Sequence, residues 1–599
     1  FTGDTDAAAQ LLEGNYDFPE GTDPATRLLL EEASKMYLSM SADQVRVYVT
    51  LEEYKYYWKR VKERTSSSYS GLHFGHYKAA AYNDVLATLH CVKLNEMARR
   101  GVPLNRWGKG VTVLLEKVVG QIYVNKLRAI CLFEADFNYW NKLIFAKHMM
   151  KRAREEGAIP DEIFSKKGSH CDDAAMVKTM FCDIARILHH PAGISELDFG
   201  DCYDRMAHAP TSLALQSFGV PRNAAKMLLQ ALQVMQFCLR TGFGESKDLY
   251  GGSEDNRLAG SGQGNGAAPP SFTALSTLVV NAYRRSGNGA RLTSSRTARI
   301  FLLAAILYVD DTDLLHWAPN PRCTVEELIE LVQAETTQWG MLAQSTGGIL
   351  KAPKCSNYLL YTKFVRGDPR LMSLEDLPEP SACVLDKNGV ERPSYVTIPQ
   401  PDGSEKHIQT HDVTDATKLL GLQFTTVGDS SVHVDEKFQN GYEWVDNLML
   451  KPMSRRDAWT SMFRQLYPGM KWGMVAVIMP IKELDKKVGK LYYNMLPPLG
   501  VNRNIGKGWR MLPSKYQGLG LPNYTLECLI TKINFLQKHW GIKNPPGEFL
   551  RQEYEAFQIE VGLYGDVLNY EWENMGVLAT KYTWFENLWQ LCSHFGVKL

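Results

Sequence analysis

Three aspartates stand close together in the stretch AILYVDDTDLL, residues 305–315. Asp310 and Asp311 end an apolar, partly β-branched run that is typical of a strand, and Asp313 follows two residues later. Adjacent carboxylates repel one another and lose solvation on burial, so they require a compensating cation. A solvated acidic turn is the simpler interpretation of an isolated pair of aspartates, and we expect Asp313 to be solvated.

A further carboxylate ends another apolar run. Asp198 lies near the end of the stretch ISELDF (194–199). If the two runs form neighbouring strands, Asp198 meets Asp310 and Asp311, and carboxylate oxygens are ligands that Mg²⁺ prefers. Two such ions, bound about 3.5–4 Å apart, stabilise the attacking and leaving oxygens of a phosphoryl transfer. The residue types therefore indicate a metal-dependent nucleotidyl transfer.

The elements around these acids must bring them together. Residues 299–317 fit a β-hairpin with its turn at the aspartates, and residues 193–206 fit a strand, a turn and a helix. A glycine-rich loop leads into a helix over 257–285, and 324–348 has the apolar spacing of a long amphipathic helix. Helices and strands are mixed without regular βαβ alternation, which predicts the α+β class. Residues 1–40 are polar and irregular, and we expect them to be weakly structured.

The composition of the 599 residues indicates a globular chain with a sizeable core, because 45% of them are hydrophobic. The eleven cysteines form no C-x-x-C pair, which favours reduced thiols in an intracellular protein, nuclear or cytoplasmic, over a secreted one. No apolar run reaches the roughly 18 residues of a membrane-spanning helix, so no membrane partner is expected. The chain begins with Phe1, and we expect it to be a fragment of a longer reading frame.

Four short motifs occur in order around the acids: DFGDCYD (198–204), QGNGAAP (263–269), YVDD (308–311) and GGILKAPKC (347–355). A fifth, KLLGLQF (418–424), follows them. In this order they resemble the palm motifs and the primer-grip strand of the reverse transcriptases. YVDD has the tyrosine-first form of the family signature, and DFGDCYD has an aromatic residue five positions after its first aspartate.

The resemblance covers roughly residues 50–540 and is greatest toward retrotransposon enzymes of the non-LTR, LINE-like type. SSSYSGLHFGHYKA (66–79) takes the place of their Ser-Pro-Gly-Pro-Asp-Gly segment, and LPSKYQGLGLP (512–522) is similar to a downstream Gly-Leu-Gly-Leu element. The resemblance implies a right-hand polymerase with fingers, palm and thumb, whose antiparallel palm sheet carries the catalytic aspartates. The implied divisions are an N-terminal lead-in (1–49), fingers (50–192), a palm (193–430) with an insertion (365–415), a basic helical thumb (431–545) and a C-terminal helical extension (546–599).

The resemblance also implies roles for single residues in catalysis. Asp198, Asp310 and Asp311 would hold two Mg²⁺ ions, for which Mn²⁺ can substitute, and the backbone carbonyl of Phe199 would be a further metal ligand. Lys354 would lie near the pyrophosphate leaving group as a general acid, and a surface lysine without such a role is the alternative.

Other implied roles concern the incoming nucleotide. Tyr203 would be a steric gate whose ring lies where a ribose 2′-hydroxyl would sit, and a core tyrosine beside a turn is the alternative. Gln263 would touch the nucleotide or the template strand, and Gly264 would let the backbone approach the base pair closely. Asp201 and Asp204, in the same motif as Tyr203, are expected to be solvated.

The early hairpin LLEKVVGQIYVNKLRAI (114–130) carries positive charge. We expect Lys117 and Arg128 to face each other across it, and in the family such a pair grips the triphosphate. Arginine supplies a bidentate fork and lysine a point charge. Lys126 competes with Arg128 for this role, and an exposed basic hairpin is the alternative interpretation.

Residues 451–515 contain thirteen lysines and arginines against three acidic residues, a local charge of +10 in a chain whose total is +1. Aromatic residues are interleaved with them. A basic helical segment of this kind suits binding of a nucleic-acid duplex by its phosphates, and a solvated helix face is the alternative. The residues expected to contact nucleic acid are Lys451, Arg455, Arg456, Lys486, Lys487 and Lys490.

The function that these expectations favour is that of an RNA-directed DNA polymerase of a retrotransposon-like element. Its partners would be an RNA template, a DNA or RNA primer and deoxynucleoside triphosphates. An RNA-dependent RNA polymerase is the first alternative, but Tyr203, Gln263 and the residues before Asp310 favour deoxynucleotides. An inactive polymerase-like scaffold or a degenerate element copy is the second alternative. The oligomeric state, the template and primer specificity and any flanking domains stay open.

Overall fold

The computed structural model describes residues 5–40, 44–65, 68–386, 389–451 and 453–599. Helices and strands are intermixed, and the sheets combine parallel with antiparallel pairs, which confirms the α+β class. Parts of four predicted regions lie outside the described residues: 1–4 and 41–43 of the lead-in, 66–67 of the serine- and glycine-rich segment, 387–388 of the insertion, and 452 of the thumb.

The α-helices of the described residues are, in chain order, α1 Asp6–Leu12, α2 Pro24–Met40, α3 Leu51–Trp58, α4 Phe74–Ala80, α5 Asp84–Arg100, α6 Ala135–Asn141, α7 Met150–Glu155, α8 Cys171–Leu188, α9 Cys202–Arg205, α10 His208–Ser217, α11 Arg222–Gln233, α12 Ala268–Arg285, α13 Val325–Ser345, α14 Ser431–Leu450, α15 Arg455–Ser461, α16 Tyr467–Lys471, α17 Ile481–Met495, α18 Lys507–Met511, α19 Tyr524–His539, α20 Pro545–Glu560, α21 Trp572–Met575 and α22 Trp584–Phe595. In the described part of the chain, none of them combines the length and apolarity needed to cross a membrane. All eleven cysteines are free thiols.

The strands of the described residues are β1 Lys109–Glu116, β2 Leu127–Leu132, β3 Ala192–Asp198, β4 Gln236–Thr241, β5 Gly244–Glu245, β6 Tyr250–Gly251, β7 Ala290–Thr293, β8 Ile300–Leu303, β9 Ala305–Tyr308, β10 Asp311–Trp317, β11 Ser356–Leu360, β12 Thr362–Val365, β13 Asp368–Leu371, β14 Ala382–Leu385, β15 Glu391–Ser394, β16 Val396–Pro399, β17 Glu405–Thr410, β18 Thr417–Leu419 and β19 Leu422–Phe424. They form two larger sheets and several hairpins. The outer sheet has the order β2-β1-β4-β5, with β6 also paired to β4.

The central sheet has the order β16-β17-β11-β3-β10-β9. The strands β3 and β10, which carry Asp198 and Asp311, are antiparallel as expected. The expectation of an all-antiparallel sheet is wrong at one place, because β11 and β17 are parallel. The same pairing shows that β16 and β17, which lie within the segment 365–415, extend the central sheet.

The central sheet lies between helices on both faces, and alternation along β3 shows which helix covers which face. Ser195 bonds to Thr336 of α13 on one face, with an Oγ–Oγ1 distance of 2.9 Å. Glu196 points to the opposite face, where it contacts Lys178 of α8. Helices on both faces shield the middle of the sheet and leave its strand ends open for chemistry.

The expectation that residues 1–40 are weakly structured is wrong for the described part, which forms α1 and α2. The buried side chains of α2 include Leu29, Ala33, Met36 and Met40, which recur every three or four residues and so share one helix face. That face packs against α10, α12 and α13. The intervening charges dilute the apolar signal in the sequence, and packing against other helices supplies the stability that the segment lacks alone.

The C-terminal helices α19, α20 and α22 pack on each other, and α20 and α22 also pack on α8. Together they enclose a buried lysine. Lys532 of α19 is fully buried, and its Nζ lies 5.0 Å from the centre of the Trp584 ring. Its ammonium has no hydrogen-bond acceptor among the described residues. Burial lowers the pKa of Lys532 to about 8, although the nearby Cys528 and Asp183 oppose the shift.

Replacement of Lys532 by methionine is expected to stabilise the fold at neutral pH. Below pH 8 both folded and unfolded chains carry the charge, so the folded state bears the full cost of burying it. As the pH rises toward the unfolded value of 10.5, the folded chain has released the proton and the cost disappears. Urea unfolding at pH 7 and pH 10 should show a gain for Lys532→Met of up to about 3 kcal/mol that shrinks at the higher pH. Lys538→Met, on the same helix but paired with Asp173 at 3.1 Å, should show no gain.

Candidate active site

The turn between β9 and β10 holds the paired aspartates. Tyr308 and Asp311 are cross-strand partners, so the turn itself consists of Val309 and Asp310. Val309 has φ +60°, a left-handed conformation that β-branched residues rarely adopt. Strain of this kind is kept where the surrounding structure enforces it, and it occurs most often at functional sites.

The carboxylates of two strands meet at this end of the central sheet. Asp198 of β3 is the direct cross-strand partner of Asp311 of β10. The N–H of Phe199 points to the carbonyl of Asp310 at a long 3.5 Å. The structure therefore brings together Asp198, Asp310 and Asp311, with Phe199 beside them, as the spacing in the sequence predicts.

Two lysines of the segment 347–355 reach the aspartates of the first motif. Lys354 Nζ lies 2.7 Å from Asp198 Oδ2, and Lys351 Nζ lies 3.1 Å from Asp201 Oδ2. Backbone bonds align the two segments, because the Lys351 N–H donates to the Asp198 carbonyl at 3.1 Å. Lys354 is exposed, and Asp198 is its local partner.

Asp201 is exposed, as expected, and its side chain also forms an ion pair with Lys351. Burial would raise the pKa of Asp201, but the hydrogen bond from Lys351 and the charges of Lys351 and Lys117 lower it overall. For Lys354 burial would lower the pKa, but the hydrogen bond and charge of Asp198, with the charges of Asp310 and Asp311, raise it. Lys354 is consequently protonated at neutral pH.

Negative charge exceeds positive charge at the strand ends. Although the Asp311 carboxyl reaches solvent, the protein atoms around it raise its pKa to about 6, and repulsion from Asp310 and Asp198 adds to the effect. The charges of Lys354 and Lys178 offset only part of it. A cation at Asp198 and Asp311 would relieve this repulsion.

The donor set at the strand ends consists of the cross-strand carboxylates of Asp198 and Asp311. Among the described residues no group of three or more histidine, cysteine, aspartate or glutamate side chains is arranged to hold a metal ion. Mg²⁺ at nucleotide sites is commonly held by one or two carboxylates, with water and substrate phosphates as its other ligands. The cross-strand pair Asp198 and Asp311 supplies that number of carboxylates.

Tyr203 forms a wall beside the turn. It lies on the one-turn helix α9, and its ring meets the Phe272 ring edge-on, with centroids 5.9 Å apart. Both rings line a small cavity of about 70 Å³, and Leu307 and Val309 line it as well. Burial raises the pKa of Tyr203 to about 12, and the negative charges of Cys202, when ionised, and Asp310 contribute. The half-buried ring therefore stands near Asp310.

The glycine-rich loop packs against the outer sheet. The Cys131 N–H of β2 donates to the Gln263 carbonyl at 2.7 Å. Gly264 has φ +113°, and a Cβ placed there would lie 2.3 Å from the Cys131 carbonyl oxygen. The same loop reaches α9, because the Ser261 N–H donates to the Tyr203 carbonyl at 2.7 Å. Gly264 thus approaches a neighbouring strand, whereas the family resemblance implies an approach to a base pair.

Gly264→Ala is expected to destabilise the fold by about 1–3 kcal/mol, because the methyl group clashes with backbone and the left-handed φ disfavours alanine. Chemical denaturation measures the loss. Gly489→Ala is the matched control, since Gly489 lies inside α17 with no atom within 4 Å of its would-be Cβ. That change should stabilise the fold by about 0.5–1 kcal/mol. A Gly264→Ala protein as stable as wild type would contradict the close approach of Gly264 to the Cys131 carbonyl oxygen.

The early hairpin has a different register from the one expected. Arg128 lies opposite Leu115, and the Lys117 N–H donates to the Lys126 carbonyl at 3.1 Å, so Lys117 faces Lys126. Alternate residues of a strand share a face, so all three basic side chains still project on one side of the hairpin. They are exposed, and Lys117 is close enough to Asp201 to affect its pKa.

The basic residues of the C-terminal half lie on helices apart from the aspartates. Lys451, Arg455 and Arg456 are exposed around the start of α15. A groove of about 720 Å³ between α14 and α17 is lined by Lys486, Lys487, Lys490, Tyr442, Asp435, Glu436 and Glu483. Lys487 is paired with Asp435. The acids of α14 therefore offset part of the local excess of positive charge.

Two residues at the site were not predicted from the sequence. Lys178 of α8 is fully buried and forms an ion pair with the partly exposed Glu196 of β3 behind the aspartates. Asp313, expected to be solvated, is buried in the same cluster. A lysine within the apolar run AAMVKTMFC was the available signal. In comparisons with known proteins, no protein-family model and no curated protein matches this chain.

Proposed function

We propose that this chain is an RNA-directed DNA polymerase that extends a primer 3′-hydroxyl with deoxynucleotides. The observation that carries the proposal is the cross-strand pair of Asp198 and Asp311, with Asp310 in a strained turn and the Tyr203 ring beside it. In this proposal the central sheet is the palm, the β1–β2 hairpin of the outer sheet belongs to the fingers, and helices α14–α19 form the thumb.

Asp198 and Asp311 would hold Mg²⁺ at the strand ends, together with Asp310. When bound there, the ions would stabilise negative charge on the attacking and leaving oxygens of the transfer. Lys354 pairs with Asp198 Oδ2 at 2.7 Å, which leaves the other carboxylate oxygen available to a metal ion. The Lys354 ammonium is protonated at neutral pH, so in this proposal it would donate a proton to the departing pyrophosphate.

The outer sheet would contact the triphosphate. Lys117, Lys126 and Arg128 project from one face of the hairpin, and Lys117 lies near Asp201 of the first motif. Exposed cations at this position attract a polyanionic nucleotide. The loop that carries Gln263 joins this sheet to α9, and so it couples the nucleotide-binding face to the gate.

The basic helices would hold the duplex. Contacts from lysine and arginine to phosphates position a duplex without reading its sequence. Each such contact releases counterions, so duplex binding should weaken steeply as salt increases. The paired Lys487 should contribute less to that dependence than the exposed Lys486.

Primer extension on an RNA template tests the proposal. The assay supplies Mg²⁺ with either deoxynucleotides or ribonucleotides and compares wild type with Asp310→Ala/Asp311→Ala. DNA synthesis by wild type alone is the expected result. Incorporation of ribonucleotides only would favour an RNA polymerase and remove the gate role of Tyr203. A folded wild type that binds duplex but makes no product would favour the scaffold or degenerate-copy alternative.

A further inference from the structure

Behind the aspartates of the proposed metal site lies a second pair of acids on the same face of the central sheet. Glu196 precedes Asp198 by two residues, and Asp313 follows Asp311 by two. The strand register makes Glu196 the direct cross-strand partner of Asp313. Four carboxylates therefore form a two-by-two array, with an outer pair at the strand ends and an inner pair one step further in.

A single buried ammonium joins the inner pair. Lys178 Nζ lies 2.7 Å from Glu196 Oε1 and 2.9 Å from Asp313 Oδ1, and Lys178 is fully buried. The hydroxyls of Ser356 and Thr417 donate to Glu196 at 2.9 and 2.8 Å. The ammonium thus occupies the position that a metal ion would take between these two carboxylates.

The inner pair is not sealed from the outer one. A cavity of about 580 Å³ is lined by both pairs of carboxylates, by Lys178 and by Lys354. Ions that reach Asp198 and Asp311 therefore share a space with Glu196 and Asp313.

We propose that Lys178 is a fixed internal cation that occupies the inner pair and so confines divalent ions to the outer pair. It is a positioning residue, since it acts on the metal site through Glu196 and Asp313. Removal of one partner from a buried ion cluster leaves uncompensated charge that another cation can neutralise. The inference rests on the proposed function, which assigns metal binding and polymerisation to the outer pair.

Counting bound Mn²⁺ by electron paramagnetic resonance tests the proposal without any need for polymerase activity. Lys178→Ala removes the charge and leaves room for an ion, and it should bind one more Mn²⁺ per chain than wild type. Lys178→Met removes the charge but fills the space, and it should not gain an ion. Lys178→Ala/Glu196→Gln/Asp313→Asn should lose the additional ion. An unchanged count in Lys178→Ala would overturn the proposal.

Thermal unfolding gives a second readout in case the alanine variant does not fold in metal-free buffer. Mn²⁺ should restore cooperative unfolding to Lys178→Ala, because the ion replaces the ammonium, and should not restore it to Lys178→Met. Equal rescue of both variants, or of neither, would count against the role of Lys178. A wild type that binds no Mn²⁺ and makes no DNA would instead count against the proposed function.

Discussion

Replacement of Asp198 by asparagine is expected to reduce DNA synthesis by roughly 10³-fold or more. Asp198 faces Asp311 across the strands and also holds Lys354 at 2.7 Å. Asparagine keeps the shape but removes the negative charge with which the site would hold Mg²⁺. Loss of several kcal/mol of charge stabilisation corresponds to a rate loss of this order. Single-turnover primer extension at saturating nucleotide measures the chemical step directly.

Asp201→Asn is the matched control for this substitution. Asp201 lies in the same motif and pairs with Lys351, a lysine of the same segment that supplies Lys354. Its φ of +51° is a conformation that asparagine tolerates, so the backbone should be unaffected. We expect a rate within about threefold of wild type, since exposed ion pairs contribute little. Equal losses in both variants would show that the first motif acts through general structure and not through a metal site.

Replacement of Tyr203 by valine is expected to relax sugar selection by about 10²-fold. The ring stands against Phe272 and lines the small cavity beside Val309, so its removal opens space next to the turn. Discrimination by shape against one added hydroxyl group amounts to about 1–3 kcal/mol in enzyme pockets. The measurement is the ratio of kcat/KM for a deoxynucleotide to that for the matching ribonucleotide.

Tyr203→Phe is the control, because it keeps the ring and removes only the hydroxyl group. It should retain the selectivity of wild type. If Tyr203→Phe loses as much selectivity as Tyr203→Val, the hydroxyl group and not the bulk of the ring is responsible. If neither variant changes the ratio, Tyr203 is a core tyrosine beside a turn.

Several parts of the site could be predicted from the sequence because they depend on local order. The run before Asp310 and the run before Asp198 have the residue types of strands. An acid at the end of such a run lies where the strands of the sheet end. The capping box of Thr50 and Glu53 likewise fixes the start of α3 with residues three positions apart. Short-range patterns of this kind specify elements without knowledge of their neighbours.

Other features depend on which elements pair, and local patterns leave that open. The early hairpin shows the limit: the basic residues were evident, but whether Lys117 faces Arg128 or Lys126 depends on a register that a shift of two residues would change. The segment 365–415 resembled an insertion because its strands are short, and the pairing of β17 with β11 that joins it to the central sheet links residues distant in the chain.

By itself, the sequence determined the acids, their order along the chain and the mixture of helices and strands that carries them. Only the tertiary structure decided that Asp198 lies opposite Asp311, that Glu196 lies opposite Asp313, and that Lys178 is buried between the inner two. The physical reason is that the cost of burying a charge depends on partners distant in the chain. Lys178 and Asp313 are 135 positions apart in the sequence. Only the fold brings them together, and each charge then compensates the burial of the other.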